Sequence, residues 1–345
     1  MSAPEPRANP LLRGHAGPEA TLARAARTGR MHHAWLLAGP QGIGKATLAY
    51  RFARRLLAGL PEGDDLALDP SHPVFRRVAA GTHADLLSIA RAYDEKRKRL
   101  QGEIVVDAVR QISGFLRLTP AEGGWRVVVV DGAEEMNRHA ANALLKVLEE
   151  PPPRALLLLA CSAPGRLLPT IRSRCRRLRL SPLGEADMAD LLPTYLPEME
   201  ADARDRLVAL AEGSPGRALT LAEADGPALA ALVDQVLDDL PALTPARRHA
   251  VADALARSDD GFATFMDLLR ASIASAVRAA ARGETDPDQA RIAGLRSLDG
   301  WAELWQGLSR LQDETERFNL DKRQAVLIGL ARLVGSSHRV DKVGV

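Results

Sequence analysis

Cysteine is nearly missing from this chain: Cys161 and Cys175 are the only two in 345 residues. That excludes a disulfide framework and a four-cysteine zinc site, and it fits a reducing, cytoplasmic setting. Aromatic residues are scarce at 4%. No run of about eighteen apolar residues occurs, and the Ala-, Pro- and Arg-rich stretch up to Arg30 has no apolar core of an export signal. Neither a membrane span nor export is therefore expected. Net charge is only +2, too weak a field to argue for or against nucleic acid. What is plentiful is Leu, Ala and Val: hydrophobic residues reach 46%, and the length suits two or three domains with sizeable cores.

Residues 1–10 (MSAPEPRANP) read as a loose tail, and Ala/Leu spacing from Pro18 to Arg30 predicts a short helix. Ala34 to Ala38 is a continuous apolar run closed by Gly39-Pro40, the pattern of a strand buried on both faces of a parallel sheet. Helical spacing follows at Leu48, Phe52, Leu56 and Leu57, and the polar stretch 61–83, broken by Pro and Gly, reads as an irregular insertion. Val106, Val109, Ile112, Phe115 and Leu116 predict another helix, and Arg126 to Asp131 a second buried strand ending in an acid. A helix from Arg138 to Glu150 must stop at Pro151-Pro152-Pro153, because proline lacks the N–H and biases its predecessor away from helix. Leu156 to Ala160 is the third strand. Strands alternating with helices imply a parallel α/β sheet covered on both faces. Beyond Ser181-Pro182 such runs end. Leu229 to Leu240, Phe262 to Val277, Trp301 to Leu311 and Ala325 to Val334 show helical spacing, so the C-terminal part is expected to be all-α.

Gly39-Pro40-Gln41-Gly42-Ile43-Gly44-Lys45 has P-loop spacing between a predicted strand and a predicted helix. In such a loop the glycines let backbone N–H groups face phosphate oxygens, and the lysine reaches the outer phosphates. Gly39, Gly42, Gly44 and Lys45 are accordingly candidate nucleotide-binding residues. The residue after the lysine should carry a hydroxyl for Mg²⁺, and here it is Ala46; Thr47 comes one position late, about 100° round the helix. Asp131 fits the acid that helps to hold Mg²⁺, and Thr47 and Asp131 complete the candidate nucleotide set. The next residue is Gly132, and Glu134 and Glu135 read as solvated loop acids. Little or no ATP turnover is expected from a site damaged at two places.

Ser173-Arg174-Cys175 lies in a segment with five arginines between 172 and 179, either an exposed basic stretch or a source of a guanidinium for a phosphate. His32 and His33 lack partners at metal-ligand spacing, so they read as packing residues. Lys96 to Arg99 is a basic run, solvated or tracking DNA.

Asn142-Ala143-Leu144-Leu145-Lys146-Val147-Leu148-Glu149-Glu150-Pro151-Pro152, followed by Ser173-Arg174-Cys175, resembles the clamp-loader branch of the AAA+ proteins. His33 to Leu37, Gly81 to Asp85 and Val106 to Arg110 extend the resemblance, which covers residues 9–225 well and the helical remainder only in kind. It implies a RecA-like AAA+ base at residues 1–180, a small helical lid at 181–225 and a helical collar at 226–345. It further implies a place in a five-subunit ring, beside gamma/tau-type motor subunits and a delta subunit, that loads a sliding clamp on primed DNA during replication. Ala46 and Gly132 agree with the non-hydrolysing stator type of subunit. By resemblance Arg174, flanked by Ser173 and Cys175, acts as an arginine finger on ATP held by the neighbour. In Gly213-Ser214-Pro215-Gly216 a glycine stands where motor subunits have a lid arginine, with Arg217 next door. Zinc, carried by many relatives between the P-loop helix and Gly81, is expected to be absent, because residues 58–80 hold no cysteine. ATP or ADP is expected at the P-loop without useful hydrolysis. Two rival readings remain: a gamma/tau-type ATPase using Thr47 and Glu134 or Glu135, and a free DNA-binding protein using the arginines of 172–179.

Overall fold

Val127 to Val130 are four β-branched residues in succession, and Leu156 to Leu159 four leucines. Such runs favour strands buried on both faces, and the computed structural model, which describes residues 4–60, 65–95, 99–122, 124–256, 261–283 and 286–335, places them side by side. The chain divides into two units, Met1–Leu219 and Thr220–Val345.

In the first unit α1 (Ala16–Arg27) precedes β1 (Ala34–Ala38), α2 (Lys45–Leu57), α3 (Pro73–Ala79) and β2 (Leu86–Ile89). A short antiparallel pair, β3 (Tyr93–Asp94) and β4 (Arg99–Leu100), leads to α4 (Val106–Arg117) and β5 (Arg126–Asp131). A 3₁₀ turn (Ala133–Glu135), α5 (Arg138–Glu149), β6 (Ala155–Cys161), α6 (Pro169–Arg174) and β7 (Arg176–Arg179) complete the α/β part. Helices α7 (Glu185–Tyr195) and α8 (Ala201–Ala211) follow, and α9 (Pro215–Glu223) runs across the division at Leu219. The five-stranded sheet runs β2-β5-β6-β1-β7, all neighbours parallel. β1, pairing Leu36 with Leu159 and with Arg177, thus lies inside the sheet, and its C-terminal end delivers the P-loop.

The three strands expected from apolar runs are present. β2 and β7 are additional, and both lie at sheet edges, where one face can carry Ser88 or the arginines of Arg176–Arg179. The tail expected at residues 1–10 is corrected: Asn9 is buried, and Arg54, 1% exposed, donates to the carbonyls of Arg7 and Asn9, both at 2.8 Å. Arg51 donates to the Pro10 carbonyl at 2.7 Å and pairs with Glu19 and Asp65. Residues 5–10 are therefore a strap held along α2. Most of the basic run, Lys96 to Lys98, lies outside the described residues, as do 61–64 of the expected insertion.

The second unit contains α10 (Gly226–Asp238), α11 (Pro245–Leu255), α12 (Gly261–Arg282), α13 (Pro287–Gly294), α14 (Leu298–Phe318) and α15 (Lys322–Gly335). The long α12 buries Phe262, Phe265, Leu269 and Ile273 and packs against α10, α13 and α14, while α15 packs against α11 and α14. Trp301 is buried; Trp305 is half exposed beneath the Arg270 guanidinium. Among the described residues no helix is long and apolar enough to cross a membrane.

Candidate nucleotide site

Positive φ angles at Gly42 (+74°) and Gly44 (+100°) are the backbone requirement behind the loop's glycines, since an L side chain strains in that region. The Gly39 N–H bonds to the Cys161 carbonyl at 3.2 Å, so the loop's start is tied to β6. Gly44 caps α2, whose first residue is Lys45; the unpaired N–H groups of a helix start favour an anion there. His15 meets the Ile43 carbonyl through Nε2 at 2.7 Å, fixing the loop from α1's side.

The turn that opens α9 closes on this loop. The Gly216 N–H donates to the Gly42 carbonyl at 2.9 Å, and Ser214 Oγ donates to the Gln41 carbonyl at 2.9 Å. A Cβ on Gly216 would stand 2.8 Å from the Cα of Gly42, so the two backbones approach as only glycines permit. Arg217 turns aside to Glu212 at 3.0 Å.

A cavity of about 500 Å³ lies between the P-loop, the end of β5, the strap, α7 and the start of α9, all within the first unit. One set of its walls is apolar: Leu11 and Leu12 from the strap's end, Leu191 and Tyr195 from α7 and Leu183 just before it. The polar set includes Lys45, Thr47, Asp131, Gly132, Glu134 and Ser162. An apolar slot joined to a glycine loop with one lysine matches a ligand having a flat heterocycle and phosphates.

Lys45 is 7% exposed, and its Nζ donates to Ser162 Oγ at 2.8 Å and to the Pro40 carbonyl at 2.5 Å. Burial pushes its pKa down, while Glu134 and Asp131 pull it back up. Burial pushes the Asp131 carboxyl up; Lys45 opposes this and Glu134 adds to it. Ala46 and Thr47 are both buried beside the cavity, and Ala46 offers a methyl where a hydroxyl would bind Mg²⁺. Among the described residues no group of three or more His, Cys, Asp or Glu is placed to hold a metal ion.

The reading of Glu134 and Glu135 as solvated acids is corrected. Glu134 Oε1 accepts the Ser162 N–H at 2.7 Å, and Oε2 is buried without a hydrogen-bond partner. Glu135 pairs with Arg91 at 2.8 Å. The 3₁₀ turn after Gly132 (φ +76°) swings both acids back over the strand end. Ser162 and His15 had no signal in the sequence, because their partners lie on other elements.

Arg174 is not among the described residues lining this cavity. It ends α6, donates to the Thr170 carbonyl at 3.1 Å and pairs with Glu149 at 3.0 Å, with 36% of its side chain exposed. Ser173 Oγ donates to Thr170 at 3.1 Å, and Cys175 packs against the sheet's core with its pKa pushed by burial up to about 12. A thiol so protonated is a packing group at neutral pH. Ser173 and Cys175 thus brace the short helix that presents Arg174.

Comparison with known proteins bears on residues 15–184, which match the family described as DNA polymerase III, delta subunit. The DNA polymerase III subunit delta' of Pseudomonas aeruginosa is 42% identical over 183 residues, 53% of this chain and 53% of that protein. That of Escherichia coli K12 is 38% identical over 208 residues, covering 59% and 58%. The E. coli tau subunit is 33% identical over 208 residues, covering 59% of this chain and 30% of tau. The match spans little more than half the length of the delta' proteins. Across this N-terminal portion the chain is similar to the delta prime subunits of DNA polymerase III.

Proposed function

We propose that the chain is a non-motor, delta-prime-type subunit of the DNA polymerase III clamp loader. In this reading it stiffens a five-subunit ring with gamma/tau and delta subunits and lends Arg174 to ATP bound on an adjacent motor, while the ring places a sliding clamp on primed DNA. The base at 1–180 carries the nucleotide site, the lid at 181–225 covers it, and the collar at 226–345 joins the ring. The observation that carries the reading is the P-loop itself: Lys45 is in place, yet Ala46 supplies no hydroxyl and Gly132 no carboxylate, so phosphate can be held but Mg²⁺ and water are poorly served. Gly39, Gly42, Gly44, Lys45, Thr47 and Asp131 would then hold ATP or ADP without useful turnover.

Arg174 suits a trans role because its planar guanidinium is exposed, away from its own cavity and tethered by Glu149. The test is Arg174→Ala in a loader reconstituted with its motor subunits and clamp. The ring should still assemble, while ATPase activity and clamp loading fall by about 10³-fold, the scale of a lost arginine finger. Undiminished loading would remove Arg174 from the mechanism. Robust ATP turnover by the isolated chain, abolished by Lys45→Ala, would favour the motor reading instead.

A further inference from the structure

Glu134 is the residue in the cavity that the phosphate-holding role leaves unexplained. Its position in sequence marks it as a loop acid, but its carboxylate is folded inward: Oε1 is fixed by the Ser162 N–H at 2.7 Å and Oε2 is buried and unpaired. Ser162 is also the residue whose hydroxyl receives Lys45 Nζ at 2.8 Å. Lysine, serine and glutamate therefore meet at one end of the cavity, with Asp131 beside them.

In a P-loop the lysine reaches the outer phosphates, so this end is where a terminal phosphate arrives. A motor enzyme prepares such a place with positive charge: Mg²⁺ held by the P-loop hydroxyl, and often an arginine from the lid. Here the reverse arrangement is found. The hydroxyl is replaced by Ala46, the lid offers Gly216, whose backbone is spent on Gly42, and Arg217 is drawn off to Glu212. Lys45 faces two carboxylates, Asp131 and Glu134, and burial first, then Glu134, pushes up both the Asp131 and the Cys161 pKa.

We propose that Glu134 makes this cavity selective for a nucleoside diphosphate over a triphosphate, its carboxylate excluding the terminal phosphate electrostatically. The proposal rests on the reading of the cavity as a nucleotide site and adds which nucleotide it keeps. A third phosphate would bring further negative charge toward Asp131 and Glu134; Lys45 is already bonded to Ser162 and Pro40, and Arg91, also on the cavity wall, is paired with Glu135, which leaves Arg13 as the remaining arginine among the described lining residues. Like charges a few ångströms apart in a half-buried site change affinity by about tenfold or more.

The experiment is calorimetric titration of the full chain with ADP, and separately with a non-hydrolysable ATP analogue, each with and without magnesium. The wild-type chain should bind ADP at least about tenfold more tightly than the triphosphate. Glu134→Gln keeps the side chain's shape while removing its charge, and it should narrow the ratio several-fold, mainly by strengthening triphosphate binding. Glu134→Ala serves as a second charge-removing variant should the amide misfold. Equal affinities in the wild-type chain overturn the proposal, as does a preference that persists unchanged in a folded variant; in both cases the nucleotide reading of the cavity stands. Failure of the wild-type chain to bind either nucleotide removes that reading and the proposal with it.

Discussion

Replacing Gly216 with alanine should loosen the lid and destabilise the protein, against the sign that helix propensity alone predicts. Gly216 is the second residue of α9, and alanine in a helix interior is favoured over glycine by about 0.8–1.0 kcal/mol, less in a first turn. Opposing this gain, the new methyl would lie 2.8 Å from the Cα and 3.2 Å from the carbonyl oxygen of Gly42. Both are backbone atoms of a loop held by Gly39, His15 and Ser214, so no side-chain rotation relieves the clash. Overpacking of this kind costs about 1–3 kcal/mol. Losing the Gly216 to Gly42 bond adds about 1 kcal/mol. The balance is roughly 1–3 kcal/mol of destabilisation, felt locally at the lid. Urea denaturation followed together with amide hydrogen exchange reads both parts. A lower midpoint and faster exchange at the Gly216 amide are expected, with the sheet's central strands unaffected. A more stable protein with unchanged exchange would refute the reasoning, because propensity would then be acting on a lid that does not rest on the P-loop.

Arg54→Met should release the strap at residues 5–10 without a large loss of global stability. Two hydrogen bonds from a charged donor are worth about 1.5–3 kcal/mol each. Burial, reinforced by nearby Arg51, pushes the Arg54 pKa down to about 10, so removing the buried charge returns about 3 kcal/mol. Limited proteolysis should cut the N-terminal segment much faster than in the wild-type chain, and unchanged protection would count against the strap. His83 carries a pH dependence. Its side chain is buried, and burial lowers its pKa more than Glu122 and Asp85 raise it, with Arg77 adding to the lowering. The unfolded chain therefore takes up the proton first as pH falls below about 6.5, and stability declines from there by up to about 1.4 kcal/mol per pH unit until the native ring also protonates. His83→Gln should flatten the urea midpoint between about pH 7 and 5; an unaltered slope would assign the loss to other groups.

The parts of this molecule legible in its sequence are those fixed by local geometry. Four consecutive valines can only be a buried strand, and glycines spaced around Lys45 announce a loop needing positive φ, which Gly42 and Gly44 adopt. β2 and β7 escape notice because an edge strand pairs on one side only and needs no apolar run, so Arg176 can sit in a strand with its guanidinium over the Trp35 ring. Glu134 escapes for a different reason. Its inward turn is decided by the backbone of Ser162 just past the end of β6, a partner that no local pattern encodes. Gly42 shows how far the distinction reaches. Its spacing identifies a phosphate loop, but its nearness to Gly216 adds a second demand, room for another backbone, which would require a glycine there even in a chain that never met a nucleotide. A P-loop read from spacing is therefore evidence of backbone shape. What the shape is used for depends on Ala46, Gly132, Glu134 and the lid, residues whose influence is tertiary or lies in a side chain that is missing.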